Sequence, residues 1–489
     1  MGYCSADSGN SDYRRLSRFA ALYHTCNHQT IRIMSQMAMD LIAIAPLLIV
    51  AATAVVVLCM EMARLPRPGV WMLTIGMTIA TGTAISMLGT DTTAFSQTFR
   101  VDALSLWAVV ILAPATILFA LMGRAELKNT PREGTVYSLM VFGALGAMIL
   151  AGSGDLMFIV LGLLIGTLSG TAMAAHPRDT FSSEGAMKYF IYGSVAGAIM
   201  LFGITFWVGL TGTTLISGLS NPGLSSSVVL IGFISLIMGL GYAASLFPVH
   251  FWTPDTFEGA PVSVAAYLSV IPKIGALFAL TQVVRDLPVS VVDWPLILAV
   301  IAALSMTYGN VVALWQDNVV RLLAYSTIAQ SGYYLLGVIG FGQSTLALDS
   351  LVVFGVAYML MNTGAFAITL AEGTKLDDFK NIGRWRPWPA VGMTVFLLSL
   401  VGMPPLAGFA GKFLLFGTAI QTGYTWLAVI AILNSAISLA VYMRIVVPMF
   451  FHESETKEPL SYAPGTSIVW ISTFVLTIFV GIGVQWFLN

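Results

Sequence analysis

The chain has 489 residues, 57% of them hydrophobic and only 9% charged, with a mean hydropathy of +0.87 and a formal net charge of -1. That balance lies outside the range of soluble domains and inside that of polytopic membrane proteins, so lipid is the expected solvent for most of the surface. A near-zero charge leaves no basic field to recommend nucleic acid as a partner, and the spacing of Cys4, Cys26 and Cys59 fits neither a metal site nor a disulfide framework.

Residues 1–39 are polar, carry Arg14, Arg15, Arg18 and Arg32, lack the apolar core of a signal peptide, and precede Met34, Met37 and Met39. They read as an N-terminal tail, with a start annotated too far upstream as the alternative. Beyond them, fourteen apolar runs approach the roughly 20 residues needed to cross about 30 Å of hydrocarbon. They lie near 40–60, 69–90, 103–123, 136–153, 156–175, 186–209, 227–247, 261–284, 294–315, 322–341, 350–371, 389–420, 425–450 and 465–488. Pro248 ends the seventh, and Pro404 with Pro405 interrupts the twelfth. Each proline removes a backbone donor that lipid cannot replace, so both breaks are expected to face protein or a wet cavity. The loops after odd-numbered spans hold fourteen Lys and Arg, those after even-numbered spans only Arg100 and Arg285. By the positive-inside rule the odd loops face the cytoplasm and both chain ends lie on the other side.

Two basic residues stand apart. Lys273, in YLSVIPKIGALFAL, is about twelve residues into the eighth span, and Lys412, in GMPPLAGFAGKFLLFG, follows the double proline by seven. A charge at such depth costs about 2.5–3.5 kcal/mol on insertion scales. Snorkelling along the four-carbon stem serves a residue near a helix end, which neither of these is. Because burial disfavours the charged form of a lysine, such a residue can load and release a proton near neutrality, and a proton relay is the functional reading.

The stretch LFPVHFWTPDTFEGAPVSVAAYLSVIPK resembles the signature PFHxWxPDxYEGAPxPVxxFLSxxPK of the antiporter-like membrane subunits of respiratory complex I. NVVRLLAYSTIAQSGYYLLG is similar to their NxKRxLAYSSIAQxGYxLLG helix, and SLVGMPPLAGFAGKFLLF to SLxGxPPxAGFxGKFxLF. KLDDFKNIGRWRPWPA resembles the loop before the broken twelfth helix, and with SSEGAMKYFIYGSVAGAIMLFG the likeness runs from about residue 135 to 450. Among the paralogues it is closest to the N type, which has Lys where the M type usually has Glu at position 412.

The resemblance implies an all-α polytopic fold of about fourteen transmembrane helices, with two inverted five-helix repeats, helices 4–8 and 9–13, and broken helices 7 and 12. The implied units are the tail 1–39, helices 1–3 at 40–123, repeats at 136–284 and 294–450, and a last helix at 465–489. It implies a translocase subunit of an NADH:quinone oxidoreductase in a bacterial or archaeal inner membrane, without redox chemistry in this chain. Flavin, iron-sulfur clusters and quinone, such as ubiquinone, would belong to partner subunits; M-like and small membrane subunits would be its neighbours in the bilayer. A multisubunit cation/proton antiporter shares much of the signature and remains the alternative.

In the family the ion pathway includes a fifth-helix Glu, a seventh-helix Lys, an eighth-helix Lys and a twelfth-helix Lys. The last two positions are Lys273 and Lys412 here. DLMFIVLGLLIGTLSGT departs from DLxxLYLGLELxSLSLY by placing Leu164 at the Glu position, and YAASLFPVHFWTPD departs from FKLSLVPFHLWTPD by placing Ala243 at the Lys position. Family analogy makes those two a buried ion pair, whose joint replacement by apolar residues avoids the roughly 3–5 kcal/mol cost of losing one partner alone. Two consequences stay open: a proton path through Lys273, Lys412, His250 and internal water with altered or reduced pumping, or a structural spacer with an incomplete channel.

His250 is expected at the cytoplasmic mouth of the seventh-span break, as a proton shuttle or a helix cap. Asp255 and Glu258 read as capping or subunit-docking groups, and Asn318, Arg321, Asp377, Asp378, Arg384 and Arg386 as loop polar groups that dock a neighbour. Trp385, Trp388, Trp470 and Trp486 fit an interfacial belt. No GxGxxG fingerprint, Walker sequence or CxxC cluster occurs.

Overall fold

The computed structural model describes residues 34, 36–64, 66–128, 130, 132–221, 223–452 and 462–487. The tail reading for residues 1–39 falls almost wholly outside them. Among the described residues the chain is helical throughout apart from one short hairpin, and twelve helices are long and apolar enough to cross a membrane.

The first three helices, α1 (Ala45–Met62), α2 (Pro66–Ser86) and α3 (Ala103–Leu127), pack on one another. Between α2 and α3 lies an antiparallel hairpin, β1 (Thr92–Ala94) with β2 (Phe99–Val101), in which Thr92 pairs with Val101. The sequence reading expected only loop there, because three-residue strands are too short to show an alternating pattern. Helices α4 (Glu133–Ala151), α5 (Leu156–Ala174) and α6 (Thr180–Thr211) follow. The sixth span is thus longer than the predicted 186–209, started by an Asp179 capping box in which the carboxylate accepts from Ser182 N at 2.7 Å.

The seventh span is divided as expected into α7 (Ser226–Ala244) and α8 (Trp252–Gly259), and α9 (Val262–Asp286) carries Lys273. Then come α10 (Trp294–Ala313), α11 (Val319–Ile339) and α12 (Ala347–Glu372). A short turn, α13 (Ile382–Trp385), precedes the broken twelfth span, α14 (Pro387–Val401) and α15 (Ala407–Gln421), before α16 (Thr425–Phe451) and α17 (Pro464–Phe487).

Helices α9 and α12 form the centre: in the most apolar stretch of each, 94% of residues are buried. Close backbone approach makes this possible, since a Cβ on Gly275 would lie 2.7 Å from Ala147 Cα on α4. Both ends of α9 are pinned. At its N-terminus the Glu126 carboxylate accepts from Val262 N, Ser263 N and the Ser263 hydroxyl at 2.6–2.9 Å; burial pushes this carboxyl above its ordinary range against the pull of those bonds. At its C-terminus Arg285 bonds Asp102 at 3.0 Å, Gln282 Nε2 donates to the same carboxylate, and Arg100 pairs with Asp286.

The ion pairs also sort the loops. Lys188, Asp255, Glu258 and Arg321 meet at one end of the bundle, where Arg444 bonds Asp317 and Asn318 bridges Lys375. These come from loops after odd-numbered spans, or the helix ends beside them. Arg100 and Arg285, from even-numbered loops, join the separate group around Asp102.

Candidate functional site

The site is built around the two breaks. Helix α7 stops at Ala244 because Ser245 adopts a left-handed conformation (φ 60°) and Pro248, three residues on, removes a donor. The freed groups find partners inside the protein. Leu246 N donates to Gly241 O at 2.8 Å, Trp252 Nε1 to Tyr242 O at 3.0 Å, and Phe247 N to Ser305 Oγ at 3.0 Å. His250 lies in the break but only 1% exposed, ringed by Phe247, Phe251 and Tyr308. Among the described residues neither ring nitrogen has a hydrogen-bond partner, so the capping role expected for this histidine is corrected: its side chain caps none of them.

Lys273 is 1% exposed, in mid-helix on α9, and its Nζ has no hydrogen-bond partner among the described residues. The ammonium sits over the rings of Trp252 and Phe257, 4.5 and 5.5 Å from their centroids, both on α8. Snorkelling is therefore not its geometry.

Lys412 is equally buried, at 2%, but well provided for. Helix α14 ends at Val401, and the Lys412 ammonium donates to the Val401 carbonyl at 3.1 Å and to Ser435 Oγ at 3.2 Å while lying 3.8 Å over the Tyr333 ring. The lysine closes the C-terminal end of the preceding half-helix, where exposed carbonyls and the helix dipole favour a cation. Gln330 Nε2 satisfies the neighbouring Leu400 carbonyl at 3.1 Å.

Buried polar side chains form two groups, one near each lysine, and among the described residues no hydrogen bond joins Lys273 to either. Ser269, one turn before Lys273 on the same helix face, accepts from Asn362 Nδ2, and the Tyr358 hydroxyl donates to Ser269 O (2.9 Å) and lies 3.2 Å from Thr327 Oγ1. Nearer Lys412, Ser326 bonds Tyr442 at 2.6 Å, Gln330 Nε2 lies 3.5 Å from the same hydroxyl, and Ser435 donates to Tyr333 at 3.2 Å. Gln330 Oε1, Ser331 Oγ, Asn362 Oδ1 and Thr363 Oγ1 are buried without hydrogen-bond partners among the described residues. Such atoms are the kind that internal water satisfies. The sequence reading missed Gln330, Asn362, Tyr333 and Ser435; two amides inside apolar spans were the available signal.

Positions 164 and 243 stand in different surroundings within the chain. Ala243 is 3% exposed and lines a cavity of about 20 Å³ with Gly162, Leu163, Gly166 and Thr167. Leu164 is 50% exposed, on an outward stripe with Met157, Leu161 and Leu168. One position belongs to the interior and the other to the surface.

The residues expected to dock a neighbour are engaged within the chain. Asp255 accepts from Lys188 and Arg321 at 2.7 Å each, Glu258 from Arg321 at 2.8 Å and from Asn318 at 3.2 Å, and Asp378 from Lys375 N at 3.0 Å. Of the four tryptophans expected at an interface, Trp385 and Trp388 are exposed, Trp470 packs partly buried against the core, and the side chain of Trp486 lies outside the described residues.

Gly402 fixes the second break. Its φ of +95° suits glycine alone, and a Cβ there would stand 2.9 Å from Lys412 Cδ. Gly402→Ala is expected to cost about 1–3 kcal/mol and to shift Lys412 off Val401. Thermal unfolding and proton translocation of the variant, measured together, check this; an unchanged pair would show that the break tolerates a side chain.

Residues 153–438 match the family model described as NADH:quinone oxidoreductase/Mrp antiporter, TM. The chain is 37% identical to the NADH-quinone oxidoreductase subunit N of Mycobacterium sp. (strain JLS), over 76% of this chain and 80% of that one. It is 34% identical to the F(420)H(2) dehydrogenase subunit N of Methanosarcina mazei, over 89% and 95%. Its structure resembles a chain of respiratory complex I from Thermus thermophilus with bound aureothin, at a TM-score of 0.79, 29% identity and coverage of 90% and 97%. A chain of the Mrp complex from Dietzia sp. DQ12-45-1b shares the fold at 0.80 and 18% identity, covering 91% and 95%.

Proposed function

The chain belongs to the NADH:quinone oxidoreductase/Mrp antiporter membrane family, and on that premise we propose that it is a membrane-arm subunit of the N type in a proton-pumping quinone reductase. The observation that carries this reading is the pair of buried lysines, Lys273 and Lys412, each set against a broken span and each with a group of buried polar side chains nearby. Half-helix ends that meet near the middle of a membrane are the usual place for an ion site in transporter folds built from inverted repeats. The repeats are assigned to 136–284 and 294–450, with α7–α8 and α14–α15 as equivalent elements between helices 1–3 and the last helix, at 465–489.

Protons enter from the face that carries the odd-numbered loops, taken as cytoplasmic, and pass by Lys273 and the buried polar side chains to Lys412, with His250 as a further proton group beside the first break. Leu164 and Ala243 remove the charges that relatives are expected to use for coupling, so pumping is altered or reduced. Flavin, iron-sulfur clusters and quinone sit in partner subunits, and the electron donor is NADH or a reduced deazaflavin, as the names of the relatives suggest. The chain lies in a prokaryotic inner membrane beside M-like and small membrane subunits.

The test is the number of protons moved per electron pair by the assembled complex in sealed vesicles. A ratio below that of relatives with Glu and Lys at the two positions supports altered pumping; the full ratio removes it. Sodium-dependent proton exchange with no redox substrate present would replace the whole reading with that of a cation/proton antiporter subunit.

A further inference from the structure

Lys273 is a buried cation site with no carboxylate, hydroxyl or carbonyl within hydrogen-bonding distance of Nζ among the described residues. Bringing an ammonium into such a place requires some compensating negative potential. What faces the ammonium is the indole of Trp252 at 4.5 Å, with the Phe257 ring at 5.5 Å. Aromatic faces carry the negative side of the ring quadrupole, and tryptophan is the best of them.

The indole is held in place from several sides. Trp252 Nε1 donates to the Tyr242 carbonyl at 3.0 Å, at the frayed end of α7, and the Tyr189 ring packs 4.4 Å from it. Both aromatic rings belong to α8, a helix of eight residues fastened by its own charges. Asp255 binds Lys188 of α6 and Arg321 of α11, Glu258 binds Arg321, and Thr256 Oγ1 donates to Gly185 O at 2.9 Å. The lysine helix α9, by contrast, is pinned at both ends to α3. The lysine and its aromatic cover thus sit on separately anchored elements.

We infer that the π faces of Trp252 and Phe257 serve as the counter-charge of protonated Lys273, and that Trp252 is a positioning residue through which any movement of α8 is felt at that proton. This deepens the proton-path reading above and rests on it. It also gives the Asp255, Glu258, Lys188 and Arg321 cluster a role: the cluster sets where the aromatic cover stands.

The test is a fluorination series at Trp252 in the assembled membrane complex, using mono-, di- and trifluorotryptophan. These keep the ring's size and N–H while draining its negative face. Proton translocation should fall stepwise with each fluorine, roughly tenfold in all, and the temperature at which the complex dissociates should fall in parallel. In a Lys273→Met background both should be flat. A flat series for both readouts with Lys273 present would overturn the inference and leave Trp252 a packing role only. If Lys273→Met pumps as well as wild type, the proton-path reading falls instead, and the dissociation temperatures alone decide the contact: a stepwise fall supports it and a flat line overturns it.

Discussion

Replacing Lys412 with methionine should leave the complex assembled and cut proton movement through this chain roughly a hundredfold, the scale of a lost general acid–base group. The argument is one of geometry. Of the three ammonium donors, two meet the Val401 carbonyl and the Ser435 hydroxyl, and the Tyr333 ring lies beneath the charge. Methionine fills nearly the same volume, so packing is preserved, and the released carbonyl is one that a nearby water can satisfy. Ser435→Ala removes one acceptor and leaves the lysine with the Val401 carbonyl, so its effect should be smaller, about tenfold, matching the low end, about 1.5 kcal/mol, of a hydrogen bond to a charged group. Translocation in vesicles, normalised to the amount of assembled complex, measures both. Equal rates for wild type and Lys412→Met would remove Lys412 from the path and with it the equivalence of the two breaks.

The two lysines differ in a way that suits a relay with direction. Lys412 has fixed acceptors at a helix terminus, whereas Lys273 has only aromatic faces. A proton moving from the second to the first passes from a site held by ring electrostatics to one held by hydrogen bonds. The polar side chains near Lys273 lie on α9, α11 and α12, the most enclosed helices of the bundle, whereas those near Lys412 extend to Ser435 and Tyr442 on α16.

Much of this was legible in the residues. Charges inside apolar runs can be seen by eye, which is why Lys273 and Lys412 were found at once. The proline breaks are visible for the same reason, since Pro248 and Pro404–Pro405 are punctuation in otherwise continuous spans. What stayed hidden depends on direction around a helix axis. Helix α5 is apolar on nearly every side, so its sequence has no phase, and nothing told whether Leu164 faces inward or out. The ion pairs of Asp255 and Glu258 were equally hidden, because Lys188 and Arg321 lie about 66 positions away on either side and only folding brings them together. Trp252 was overlooked because an aromatic residue beside a helix break has an ordinary packing explanation, and only the position of the Lys273 ammonium distinguishes the two.

That hidden phase decides what happens when the missing charge is restored. Ala243→Lys should prevent or severely weaken assembly. The cavity beside Ala243 is about 20 Å³, room for a single water and not for a lysine stem. Overpacking costs about 1–3 kcal/mol, and an uncompensated buried charge adds about 3–5 kcal/mol. Ala243→Met separates the two, carrying the bulk without the charge, and should lose only the smaller amount. The companion change, Leu164→Glu, does not repair the damage: its side chain lies on the half-exposed outer stripe of α5 while position 243 faces inward. The double variant should therefore assemble no better than Ala243→Lys alone. Complex content of membranes and the temperature of dissociation measure all four proteins. Recovery in the double variant would mean that positions 164 and 243 meet within the chain, and that the lost pair was an internal one after all.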